Sequence, residues 1–178
     1  MKILHFMLVA VLALSMTAFA ASNREEVRAA TEALQAGDTV KAFKHWEKAA
    51  KAGDAVAQYN LSVAYSNGDG VVADETQAIS WLKKSAKQQY QPAQIDLAAW
   101  HLRHREYAQA AEIFRQLADI GHPLAQFNYG IMLGRGDGFP APREMEGLEW
   151  IRKSAAQGFP PALEFLQELE AQKARRKK

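Results

Sequence analysis

The 178-residue chain contains no cysteine, which excludes a disulfide framework and any zinc site built on thiolates, so its core must hold the fold unaided. Its net charge of +2 is unevenly placed, because Lys173, Arg175, Arg176, Lys177 and Lys178 crowd one end. Without those five and Lys2 the body holds 16 basic against 20 acidic residues, which does not fit a nucleic-acid binder with a basic body.

The N-terminus has the order of an export signal. Lys2 supplies the positive charge, Ile3 to Leu14 are apolar apart from His5, and Ala18-Phe19-Ala20 gives the small-x-small pattern a signal peptidase needs. Cleavage after Ala20 would leave 158 residues, enough for a domain that buries about 68–70% of its unfolded surface. The rival reading is an uncleaved anchor, since Ile3 to Ala21 is just long enough to span a bilayer. Ser15, Thr17 and the alanines weaken that second half, so a cleaved signal over 1–20 and a periplasmic or secreted chain are expected.

Beyond residue 20 the spacing of apolar and small residues is helical and no strand alternation occurs. Antiparallel helix pairs are expected at about 23–36 with 39–52, 55–66 with 75–88, 92–103 with 107–119, and 123–133 with 143–156. A last helix from about 160 to 173 caps the array, so the repeat domain spans 21–172 and a basic tail spans 173–178. Asp38 and Asp54 stand at N-cap positions, and Pro92, Pro123 and Pro160 fall in first turns, where a missing N–H costs nothing.

These pairs repeat. Ala50, Ala86, Ala118 and Ala155 mark the ends of the second helices, with Gly53, Gln89, Gly121 and Gly158 three residues later. Ala42, Ala78, Ala110 and Gly147 stand eight residues before each marker and are small enough for two helices to approach closely. Two pairs carry extra residues, the loops Asn67-Gly68-Asp69-Gly70-Val71 and Arg135-Gly136-Asp137-Gly138-Phe139, whose glycines permit positive φ where the chain doubles back. A repeated unit cannot bury its apolar face alone, so copies stack.

The first glycine-loop unit reads Ala57-Gln58-Tyr59-Asn60-Leu61 and closes on Trp81-Leu82-Lys83-Lys84-Ser85-Ala86. The second reads Ala125-Gln126-Phe127-Asn128-Tyr129 and closes on Trp150-Ile151-Arg152-Lys153-Ser154-Ala155. This pattern resembles the Sel1-like repeat, a longer relative of the tetratricopeptide repeat. Residues 57–92 and 125–161 carry it, while 24–53 and 93–124 lack the glycine loop and are closer to tetratricopeptide units. Arg143 departs from the acidic residue seen at Asp74, and Leu133 from Tyr65. The resemblance implies an all-α, right-handed solenoid and a non-catalytic role: a scaffold or adaptor that binds an envelope protein or peptide on its concave face.

Carried over by register, the resemblance assigns that face to Tyr59, Asn60 and Val63, to Ile95, Asp96 and Ala99, and to Phe127, Asn128 and Ile131, with Arg103 and Arg135 near the helix ends. Apolar anchors mixed with amides suit a peptide ligand. The competing role for Tyr59, Ile95 and Phe127 is packing against the adjacent repeat. An alternative function runs through the basic tail, which would meet anionic lipid, a cell-surface polymer or an acidic partner.

Other motifs point to no chemistry. His101 and His104 share a helical face near Glu106 but have no placed third ligand, so no metal or other cofactor is expected. Asp69 and Asp137 lack the alternating acids of a calcium loop, and Gly134-Arg135-Gly136-Asp137-Gly138 lacks the Lys and Ser/Thr of a phosphate loop. No nucleophile lies paired with a base, so neither an enzyme nor a nucleic-acid partner is expected.

Overall fold

The computed structural model describes residues 21–176. The expected signal over 1–20, and Lys177 and Lys178 of the basic end, lie outside these residues. The fold is all-α, as the periodicity requires, and no strand occurs among the described residues. In chain order the helices are α1 (21–35), α2 (Thr39–Lys51), α3 (Ala55–Asn67), α4 (Glu75–Lys87), α5 (Gln91–Arg103), α6 (Tyr107–Asp119), α7 (Pro123–Arg135), α8 (Glu144–Ala156) and α9 (Pro160–Arg176).

The chain divides into two units, one reaching to Ala93 and the other starting at Gln94. In the first, α2 and α4 both pack on α3. Its core holds Ala30, Ala42, Trp46, Ala49, Ala57, Leu61 and Ala64, with Phe43 edge-on to Tyr65 at 5.4 Å. Glu26 of α1 accepts hydrogen bonds from His45 and Lys48 of α2, and these bonds hold its carboxyl below the usual carboxylate range. In the second unit α6 and α8 both pack on α7, and α9 packs on α8. Phe114, Leu117, Tyr129, Met132 and Leu133 form its main core. Burial pushes the Tyr129 phenol up from its ordinary value.

Local chemistry sets where each helix starts and stops. Asp38 accepts from the Lys41 amide at 2.9 Å and Asp54 from the Ala57 amide at 2.8 Å, the N-caps expected of them. Asp74 caps α4 in the same way, accepting from the Gln77 amide at 3.0 Å. Gln89 and Arg105 hold φ near +60°, so a non-glycine residue makes the left-handed turn at those two positions.

Of the small residues before the markers, Ala42, Ala78 and Ala110 are buried, and Gly147 brings α7 and α8 together. A Cβ on Gly130 would stand 2.6 Å from the Gly147 carbonyl oxygen, and one on Gly147 would overlap the Gly130 carbonyl. The two backbones touch. The basic end differs from the expected tail in one respect: α9 runs on to Arg176, so Lys173, Arg175 and Arg176 occupy its last turn. Cations there complement the negative end of the helix dipole.

Candidate functional site

The repeat motif resolves into a set of interactions that fasten each glycine-loop pair to itself and to the helix before it. In the first unit the Ser85 hydroxyl donates to the Ala55 carbonyl at 2.6 Å, tying the end of α4 to the start of α3. The Gln58 amide donates to the Ala50 carbonyl of α2 at 3.2 Å, and Gln88 donates to Gln58 at 2.8 Å. The second unit repeats this set: Ser154 to Pro123 at 2.7 Å, Gln126 to Ala118 at 3.3 Å, and Gln157 to Gln126 at 2.8 Å. Ser85 and Ser154 are fully buried and Gln58 and Gln126 nearly so, hence each polar group needs the partner it has. The Trp-x-x-Lys spacing is a cation–π pair, with Lys84 3.6 Å from the Trp81 ring centroid and Lys153 3.7 Å from that of Trp150.

The glycine loops also have a defined seat. Gly70 lies so close to Thr39 and Val40, at the start of α2, that a Cβ would overlap the Thr39 carbonyl. Gly138 lies close to the start of α6 in the same way, where a Cβ would come 2.8 Å from the Tyr107 carbonyl. Each loop thus rests on the first turn of the preceding second helix, and its glycines, at φ between +73° and +85°, allow both the turn and the approach. Asp69 accepts from Asn67 at 3.1 Å inside its own loop.

The residues carried over by register range from half-buried to exposed. On α3, Tyr59, Asn60 and Val63 are half-buried, and Tyr59 meets Tyr90 edge-on at 5.5 Å. On α5, Ile95 is half-buried against the core while Asp96 and Arg103 are exposed. On α7, Phe127, Asn128 and Ile131 are half-buried and Arg135 is exposed. Phe127 and Ile131 also pack toward α9, with Phe159 and Phe165 5.9 and 6.3 Å from the Phe127 ring, and Asn128 donates to the Leu124 carbonyl at 2.9 Å. The structure therefore gives Phe127 a packing role between helices in addition to its exposed edge.

His101 and His104 turn to different partners. His101 donates to Glu106 at 2.6 Å, while His104 stacks on Trp100 at 3.9 Å and donates to the Trp100 carbonyl. Among the described residues no cluster of three or more His, Cys, Asp or Glu is placed to hold a metal.

One concavity was not anticipated from the sequence. It lies between the C-terminal half of α7, the start of α8 and the C-terminal half of α9, and it holds about 520 Å³. Ile131 and Arg135, already singled out on α7, line one wall. Met145, Leu148 and Arg152 of α8, and Phe165, Leu169 and Lys173 of α9, line the others. The spacings Met145-x-x-Leu148-x-x-Ile151 and Phe165-x-x-x-Leu169 are the sequence signal for it, visible as apolar helical stripes but not distinguishable there from core.

Helix pairs of this length, with glycine loops seated on the preceding helix and a repeated Ser/Gln tie, define an α-helical repeat protein. The model of the Sel1 repeat matches residues 33–54, 55–90 and 123–159, and the chain belongs to the Sel1 repeat family, whose members are protein-interaction adaptors. Among solved structures, a protective antigen of uropathogenic Escherichia coli with an SLR fold is 34% identical, with a TM-score of 0.67 over 83% of this chain and 33% of that one. A Sel1 repeat protein from Oxalobacter formigenes is 31% identical, with a TM-score of 0.61 over 69% of this chain and 95% of that one. Chitin synthase regulatory factor 3 of Schizosaccharomyces pombe is 30% identical over 133 residues, 71% of this chain. The chain spans between 14% and 56% of the length of the curated relatives it matches.

Proposed function

We propose that the protein is a non-catalytic adaptor of the cell envelope, exported by residues 1–20, whose first-helix surfaces bind an envelope protein or peptide. The observation that carries this reading is a division of labour along α3 and α7. Gln58 and Gln126 are buried and bound internally. Their neighbours Asn60, Val63, Asn128 and Ile131 keep part of their surface in solvent. Apolar groups interleaved with amides at helical spacing suit recognition of a peptide backbone together with its side chains. The export pattern around Lys2 and Ala18-Phe19-Ala20 supports an envelope partner, and a family of protein-interaction adaptors supports a protein as the ligand.

Capture from a solubilised envelope fraction tests the reading. The wild-type chain should retain a defined protein that Asn60→Ala combined with Val63→Asp releases, while the melting temperature stays within error. Recovery of the same proteins by both chains would overturn it. Mass spectrometry of protein purified from its native host should find a chain that starts at Ala21, and a retained Met1 in the membrane pellet would replace export by anchoring. Phe127→Ala is the matched contrast. Its ring packs on Phe159 and Phe165, so it should cost about 3 kcal/mol of fold stability whatever it does to binding.

A further inference from the structure

The groove between α7, α8 and α9 is explained by comparing it with the equivalent place one pair earlier in the same unit. Tyr107 and Ala108 open α6 in the register that Glu144 and Met145 occupy at the start of α8, eleven and ten residues before the markers Ala118 and Ala155. On α6 that first turn carries the Gly136–Phe139 loop, and the following positions, Ala111 and Phe114, are 5% and 2% exposed. On α8 the matching residues are Met145, Leu148 and Ile151. Ile151 is buried, Leu148 is only half-buried, and Met145 is 72% exposed. Leu148 is thus less covered than its match Ala111, and Met145 presents a large apolar side chain where α6 has only the exposed Ala108. An exposed methionine beside a leucine and a phenylalanine is an adaptable apolar lining.

Charge and shape narrow the occupant. Arg135, Arg152 and Lys173 rim the groove with Glu144, and Lys173 is paired with Glu170 at 2.8 Å. Arg135 and Arg152 form no ion pair among the described residues. Each of the two outer walls runs nine residues, from Glu144 to Arg152 and from Phe165 to Lys173, and the eight rises between its ends make about 12 Å of helix. Phe165, Leu169 and Lys173 form an i, i+4 ridge along it, the surface that receives the ridges of another helix. We propose that this groove docks an amphipathic helix of a partner protein, one that lays two to three apolar side chains between α8 and α9 and sets carboxylates beside Arg135, Arg152 and Lys173. The proposal deepens the adaptor reading by giving the partner a chemistry, and it rests on that reading only in taking the ligand to be a protein.

The test uses the intact chain and two synthetic helical peptides of about three turns, with the same leucines at i, i+3 and i+7, flanked by Glu in one and by Lys in the other. Fluorescence anisotropy should show the Glu peptide binding at least tenfold more tightly than the Lys peptide, with affinity falling as salt rises. Met145→Glu, at an exposed position, should abolish Glu-peptide binding without moving the thermal melt, and Arg152→Glu, which leaves two cations against two carboxylates on the rim, should remove the preference between the peptides. Absence of binding by either peptide, or binding that Met145→Glu leaves intact, would overturn the proposal. So would a concentration-dependent dimer in sedimentation that Met145→Glu dissolves, which would make a second copy of this chain the occupant. Lys44→Ala, at an exposed position on α2, should leave peptide affinity unchanged. If the groove fails while Asn60→Ala with Val63→Asp still releases an envelope protein, the adaptor reading stands without this site.

Discussion

The α3–α4 and α7–α8 pairs carry the same motif, and the places where they differ show which parts of it hold the fold. Both keep the buried serine that reaches back to the first turn, the glutamine that reaches the preceding helix, and the lysine over tryptophan. They differ where the paired helices meet. The second pair places Gly130 and Gly147 there, whose backbones are in contact, and by register the first pair has the buried Ser62 and Ala78 at these positions. They differ again at the entry to the second helix, where Asp74 caps α4 and Arg143 makes no side-chain cap on α8. The polar ties are thus common to both pairs, while helix spacing and capping are set separately in each.

Between these two pairs the largest difference should come from the point of contact between α7 and α8. Gly147→Ala adds one methyl group, and helix propensity alone would raise stability by about 1 kcal/mol. The methyl would instead meet the Gly130 carbonyl, a backbone group that cannot rotate away, so we expect a net loss of about 2 kcal/mol. Ala78→Gly, the converse change in the first pair, should cost only the roughly 1 kcal/mol of lost propensity. Chemical denaturation of both variants reads the contrast. A stabilised Gly147→Ala protein would mean that the two pairs are spaced alike.

The shared ties come next. Ser154→Ala and Ser85→Ala each delete a hydroxyl that is fully buried and donates to the first turn of the paired helix. Each should cost about 1.5 kcal/mol, and the two losses should agree within about 0.5 kcal/mol because the surroundings match. Unequal losses would show that the motif is used differently in the two pairs.

Much of this was legible in the sequence because repetition supplies its own control. Glycines three residues past the markers, prolines in first turns and Asp38 or Asp54 before a helix each name a local conformation through backbone chemistry alone, and the helices begin and end there to within a few residues. The motif's serine and first glutamine, Ser85 and Gln58 in the first unit, were visible as recurrent letters, but their roles were not. Their partners, the Ala55 and Ala50 carbonyls, are backbone atoms that no side-chain pattern announces. The α7–α8–α9 groove was hidden for a related reason. Met145 and Leu148 form an apolar stripe, and whether a stripe is covered depends on what packs over it rather than on its own spacing. The face assigned by register combines both cases, since Asn60 keeps surface in solvent while Phe127 has part of its ring against Phe159 and Phe165.

The smallest effect concerns the entry to α4 and α8, where the backbone is the same and the side chain is not. The Asp74 amide donates to the Tyr65 carbonyl at 2.9 Å, and the Arg143 amide donates to the Leu133 carbonyl at 2.7 Å, so both loops close by the same bond despite different side chains at both positions. Asp74 adds a side-chain cap to that bond, and Asp74→Ala should therefore cost about 1 kcal/mol. Arg143 supplies an ion pair to Glu146 on the solvent side of α8 and lies 5.9 Å from the Phe139 ring. Both contacts are solvent-exposed at the arginine, and exposed pairs of this kind contribute at most about 0.5 kcal/mol. Glu144 and Glu146 already place negative charge on the first turn of α8, so that helix depends less on a capping acid than α4 does. Arg143→Ala should accordingly cost about half of what Asp74→Ala does or less, and raised salt should shrink the Arg143→Ala loss while leaving the cap's contribution nearly unchanged. Urea melts of the two variants at low and high salt measure this difference. Equal losses at both salt concentrations would mean that Arg143 performs the capping role by a route other than its side chain's ion pair.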